Sequence, residues 1–181
     1  MNSTDLRIAR LARGLSQVEA AARLRVSQPY LAMLERGQRR LTPELALRAM
    51  RLYELPPTTL PHADLGVPPR RAAAEALARD LAALGYAGLG HLRPRHWKPK
   101  NPGQVLLTAL AQEDLESRLV EALPWLVLVF WPLDEAWLVR EAKLRDLQNR
   151  LGFVVTLARR CAERRGDEPR AQALRGLEAV L

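Results

Sequence analysis

Between Leu15 and Gly37 the chain carries start and stop signals for two short helices separated by three residues. Ser16 is placed to cap the first, with Glu19 three residues later in the capping-box position, and the helix is expected to run to about Leu24. Ser27 caps the second. Pro29 follows close inside its N-terminus, where a missing N–H costs nothing, and Gly37 stops it. Ala20 and Ala21 are small enough to let the two helices cross closely, while Val26, Leu31 and Leu34 supply an apolar wedge between them. This spacing dictates a tight pair of crossed helices, the second opening on a small, polar turn.

The flanks complete a four-helix unit. Ser3 or Thr4 caps a first helix that runs to Arg13, with Leu6, Ile8 or Ala9, and Leu11 expected to face inward and Gly14 ending it. Thr42 and Pro43 open a fourth helix carrying Leu45, Leu47, Ala49 and Leu52 towards Tyr53, and a short fifth helix fits at 57–60. Residues 1–55 hold ten arginines against five acids, a surplus of +5 out of a net charge of +8 for the 181 residues. With a sequence pI near 10.7, that distribution suits a polyanionic partner held by the first third of the chain.

Residues 4–55 resemble the lambda-repressor-like family, also called the Cro/C1 or XRE type, in Arg10, Leu15-Ser16-Gln17, Ala20 or Ala21, Val26-Ser27, Leu31 and Glu35-Arg36-Gly37. The resemblance implies a four- or five-helix DNA-binding domain in which one helix lies across the phosphate backbone and the next enters the major groove. Ser16 and Gln17, at the start of the crossing helix, then contact phosphate. Gln28 matches the base-reading glutamine, whose amide pairs with both N6 and N7 of adenine. Ser27 touches phosphate or a base edge, Met33 a thymine methyl, and Tyr30 the backbone. Gln38, Arg39 and Arg40 follow the helix as phosphate contacts. Arg10 and Glu35 match an ion pair that ties the first helix to the recognition helix. The chain departs from the family pattern twice. Arg25 stands where the turn usually has glycine, and Pro29 where relatives often carry a polar base contact.

The stretch 56–70 is rich in proline and reads as a stiff, extended linker. Residues 71–181 read as a second helical domain serving oligomerisation or partner binding, so the expected fold class is all-α. An Ala-rich helix from Arg71 to Leu84 ends at Gly85, and a basic loop, 88–100, follows. Its 91–100 portion suits a second DNA contact, an acidic partner, or no partner at all. Asn101-Pro102 restarts helix as far as about Gln112, and Glu113 or Asp114 opens another that reaches Leu123. Residues 124–131 are apolar on every side and fit a buried helix or a buried strand equally well. Asp134 caps a long helix. Leu144, Leu147, Leu151, Val154, Ala158 and Cys161 recur within it at alternating spacings of three and four, the pattern of a packing seam and a candidate dimer surface. The tryptophans, Trp97, Trp125, Trp131 and Trp137, fit either an ordinary helical core or that surface. A last helix is expected from Pro169 to Leu181. The chain ends on Ala-Val-Leu without a polar tail, which is compatible with a longer native protein.

The single cysteine, Cys161, excludes an internal disulfide framework and reads as a buried thiol. No signal peptide opens the sequence and its longest apolar run is too short to span a bilayer, which points to a cytoplasmic location without membrane association. His62, His91 and His96 lack metal-site spacing, and no phosphate loop or nucleophile elbow is present, so neither enzyme activity nor a metal or cofactor is expected. The function implied is a sequence-specific double-stranded DNA-binding regulator, a repressor acting as a homodimer on its operator. The alternative is an antitoxin-type protein whose 71–181 half neutralises a toxin while the DNA-binding half represses its own operon.

Overall fold

A computed structural model describes residues 3–62, 72–93 and 98–181, and the fold is all-helical among them. Residues 63–71, which hold most of the expected linker, lie outside the described residues, as do 94–97 of the basic loop, including Trp97. The chain divides into two compact units, Met1–Pro61 and His62–Leu181.

The first unit contains α1 (Ser3–Ala12), α2 (Gln17–Leu24), α3 (Gln28–Glu35), α4 (Pro43–Tyr53) and a short 3-10 turn, Pro57–Thr59. Its core is Leu6, Ala9, Ala20, Ala21, Leu24, Leu31, Leu34, Leu45, Ala49 and Tyr53. The small residues expected at the α2 crossing are buried, with Ala20 wholly enclosed. Leu11, expected to face inward, is instead exposed, as is Ile8. At 100° per residue Leu6, Ala9 and Arg10 share one stripe of α1, and that stripe turns Leu11 towards solvent.

The second unit contains α5 (Ala72–Ala83), a 3-10 segment (Ala87–Leu92), α6 (Pro102–Leu110), α7 (Ser117–Val129), α8 (Glu135–Leu144), α9 (Gln148–Arg164) and α10 (Glu168–Val180). A continuous leucine-rich core joins them, including Leu81, Leu106, Leu119, Leu126, Leu151 and Leu174, with α9 packed along α10 and against α7. The Asn101 side chain caps α6 by accepting from Gly103 N–H at 2.9 Å. A Cβ at Gly103 would meet Leu138 at 3.1 Å, so glycine lets α6 and α8 approach closely. Trp125, Trp131 and Trp137 are partly buried against the core, as is Cys161. Trp137 also stacks on His62, their ring centroids 3.7 Å apart.

Four expectations for this unit are corrected. The 3-10 segment Ala87–Leu92 replaces the first part of the expected loop, because Leu89 is wholly buried. The helix expected from Glu113 or Asp114 begins at Ser117 behind Glu116 and does not stop at Leu123. It continues through Pro124 to Val129, settling 124–129 as helix. An internal proline costs a helix about 3 kcal/mol, but Leu123, Leu126, Val127 and Leu128 are all buried around it. Each contributes about 1.5–3 kcal/mol, so packing outweighs the break.

The long helix across 134–161 is two helices. Asp146 adopts φ 54°, and the Leu147 N–H reaches back to the Ala142 carbonyl at 2.9 Å, closing α8 in a left-handed cap. The seam is divided accordingly, and it is no surface: Leu147, Leu151, Val154 and Ala158 are buried in the unit's own core. Leu144, at its far end, is 71% exposed.

Candidate nucleic-acid interface

The crossed pair α2–α3 forms as its caps dictate. Ser16 Oγ accepts from Glu19 N–H at 3.2 Å while the Glu19 carboxylate accepts from Ser16 N–H at 2.9 Å, completing the capping box. These bonds from Ser16 hold the Glu19 carboxyl below its usual range. The Ser16 hydroxyl also donates to Glu19 at 2.7 Å, so this side chain is engaged in the cap. Arg25 takes the left-handed conformation that the missing glycine would favour, φ 56° and ψ 48°. The Val26 N–H behind it closes on the Ala21 carbonyl at 3.0 Å. The turn geometry is kept, at a conformational cost of about 1–2 kcal/mol. From α4, Arg48 Nη1 donates to the Leu24 carbonyl at 2.7 Å and braces the same turn.

Ser27 caps α3 by accepting from Tyr30 N–H at 3.3 Å. Ser27, Gln28 and Pro29 are exposed at the start of α3, and Gln38, Arg39 and Arg40 are exposed just beyond its end. Tyr30 is half-buried and rests against the core, and Met33, one turn after Pro29, is half-buried. Pro29 supplies no side-chain donor and no N–H, which leaves Gln28 as the amide at the exposed tip of the helix.

A chain of polar contacts runs from the interior to that tip. Arg10 and Glu35, both buried, pair through two parallel hydrogen bonds of 2.7 and 2.9 Å, joining α1 to α3. Arg10 also donates to the Leu15 carbonyl at 2.8 Å, which fixes the entry to α2. Burial pushes the Glu35 carboxyl up, but hydrogen bonds from Arg10 and Gln17 outweigh it, and the group lies below its ordinary value. Gln17 Nε2 donates to Glu35 Oε2 at 2.9 Å, and Gln28 Nε2 donates to Gln17 Oε1 at 2.9 Å. Each amide thereby has its orientation set by the one behind it, ending on a buried ion pair. The bond from Gln28 uses one of its two Nε2 protons. The other proton and Oε1 are the donor and acceptor that a bidentate contact to adenine requires.

The resemblance pointed to the Arg10–Glu35 pair, which the structure shows, but not to its extension through Gln17 to Gln28. Their separations along the chain, 18 residues between Gln17 and Glu35 and 11 between Gln17 and Gln28, leave no local spacing signal. Arg13 was also missed: it donates to the Tyr53 carbonyl and pairs with Glu54, both at 2.8 Å, closing α1 onto the end of α4.

Residues 6–60 match the family model described as Helix-turn-helix. The N-terminal unit is a helix-turn-helix domain of the lambda-repressor-like type. It is the kind of domain that makes a chain a DNA-binding transcription regulator. No curated protein and no solved structure matches the chain. Among the described residues no helix is long and apolar enough to cross a membrane.

Proposed function

We propose that the chain reads a specific double-stranded operator with α3 and represses transcription by occupying it, two copies to a site. The observation that carries this reading is Gln28, exposed at the first turn of α3 and oriented by Gln17. Gln28 reads an A·T pair through its remaining amide proton and Oε1. Met33 offers a thioether and methyl group to a thymine methyl, and Ser27 and Tyr30 serve the edges of the contact. Pro29 fills the groove without reading it. Gln17 donates to phosphate alongside the first-turn N–H groups of α2, with Ser16 fixing that turn. Gln38, Arg39 and Arg40 neutralise phosphates.

With so few base readers on one helix, two half-sites about one helical turn apart supply the specificity that one lacks. Residues 1–55 then serve DNA binding, 56–70 connection, and 71–181 assembly.

Selection of duplexes from a random pool tests the reading. The chain should enrich one sequence whose half-site contains an A·T pair, and Gln28→Ala should lose the preference at that pair alone. Arg39→Ala should weaken all duplexes alike and reduce the slope of log affinity against log salt by about one. Absence of enrichment, or an equal loss from Gln28→Ala on random DNA, contradicts sequence-specific reading.

A further inference from the structure

We infer that Glu35, a buried residue, decides which base Gln28 prefers, because its carboxylate fixes the order of donors and acceptors from Gln17 to the tip of α3. The inference rests on the DNA reading by Gln28 proposed above and adds Glu35 to it as a positioning residue.

The two ends of a glutamine amide have nearly the same shape and opposite hydrogen-bonding roles, so its direction is set by what it meets. An arginine can only donate, and an ionised carboxylate can only accept. Arg10 Nε and Nη2 hold the two Glu35 oxygens at 2.7 and 2.9 Å, while Nη1 is tied to the Leu15 carbonyl, so the carboxylate is fixed in place. The Glu35 side chain is 2% exposed, which leaves water little access to it. Burial works against its charge, yet the hydrogen bonds from Arg10 and Gln17 keep the carboxyl below its ordinary value, so it carries no proton at neutral pH. The end of Gln17 that faces Glu35 Oε2 at 2.9 Å must therefore be Nε2. Turned the other way, it would set two oxygens against each other with no proton between them. A hydrogen bond to a charged acceptor is about twice as strong as a neutral one, so this end of Gln17 is the anchored one.

With Nε2 turned inward, Gln17 Oε1 is left facing outward, where it accepts from Gln28 Nε2 at 2.9 Å. Gln28 then shows DNA its Oε1 and one N–H, the pattern that matches N6 and N7 of adenine. The same amide turned over would hide its oxygen and show two N–H protons, the pattern for O6 and N7 of guanine. The choice between these two faces is made by the charge of Glu35, two side chains away.

Lysine at position 17 tests this, because it donates to Glu35 as glutamine does but offers Gln28 no acceptor. Gln28 must then turn its Oε1 to the ammonium and its amide protons to the groove. The full chain is measured on duplexes that differ only at the pair where Gln28→Ala loses its preference. Wild type should prefer A·T there and Gln17→Lys should prefer G·C, the ratio of the two affinities moving by at least about tenfold. Glu35→Gln, whose amide can donate or accept, should bring that ratio towards one. A purely structural role for Glu35 would move the melting curve and weaken all duplexes alike, leaving the ratio untouched. Gln17→Lys should melt near the wild type, since it still meets the demand of Glu35, and it decides the matter even where Glu35→Gln unfolds the unit. A wild type without preference at any pair overturns the reading by Gln28, and this inference with it. The role of Glu35 alone is overturned if the preference stays on A·T in Gln17→Lys or vanishes without moving to G·C. An early melt of Gln17→Lys, or a folded Glu35→Gln chain that keeps the wild-type ratio, overturns it equally.

Discussion

The two units are built from the same elements and use polar groups differently. Buried polar or charged residues among those described are Arg10, Glu35 and Asn101. Two of the three belong to the small helix-turn-helix unit, where they anchor the amide chain that ends at Gln28. In the C-terminal unit Asn101 caps a helix, and a leucine core holds the rest. Replacing a buried ion pair by apolar side chains is often neutral or stabilising. The Arg10–Glu35 pair is therefore better understood as fixing a geometry than as adding stability. The first unit holds in register the side chains proposed to read DNA, and the second holds itself together.

The largest effect expected from breaking this contrast lies at Glu35. Glu35→Ala leaves Arg10 charged and buried without its partner and should destabilise the helix-turn-helix unit by about 3–5 kcal/mol. Residues 1–61 hold no tryptophan, and Trp125, Trp131 and Trp137 pack against the second unit's core, so tryptophan fluorescence should still report its unfolding near the wild-type temperature, while helical signal from the first unit is lost early. Acid should act the same way. The folded-state Glu35 carboxyl lies below its ordinary value, so its contribution is complete at neutral pH and disappears as the pH falls through that folded value.

Leu126→Ala makes the complementary break. Leu126 is wholly buried in the second unit, and its truncation should cost about 3 kcal/mol. Tryptophan fluorescence should show the loss directly, and binding of one unit to a half-site should persist. If both substitutions shift both signals equally, the units do not differ as described.

A smaller effect is expected at Gln17. Gln17→Ala removes the hydrogen bond that orients Gln28 and should weaken operator binding by about 1 kcal/mol, with a smaller loss on random DNA. Arg25→Gly should be the mildest change. It relieves a left-handed arginine but gives the unfolded chain more freedom, for a net gain of at most about 1 kcal/mol in thermal unfolding.

How much was legible in the sequence follows the same division. Helices whose ends carry their own chemistry were found: Ser16 with Glu19, Ser27 with Pro29, and the glycines at 14, 37 and 85, all at positive φ. The end of α8 was missed because the residue in the same left-handed position is Asp146. The apolar spacing runs unbroken past it, so periodicity alone predicted one helix. Pro124 misled in the opposite direction, since a local break signal was outweighed by core packing. At the candidate interface the Arg10–Glu35 pair was legible, whereas the order that runs from it through Gln17 to Gln28 was not. That order depends on how α1, α2 and α3 cross, which no local spacing encodes.

The most direct measurement compares wild type and Gln28→Ala on the selected operator, on an operator with one A·T pair replaced, and on random duplex. Gln28→Ala should lose about 1–3 kcal/mol on the operator, almost nothing on the altered operator, and almost nothing on random DNA. Equal losses on all three would contradict the account, because Gln28 would then be holding the protein to DNA without reading it.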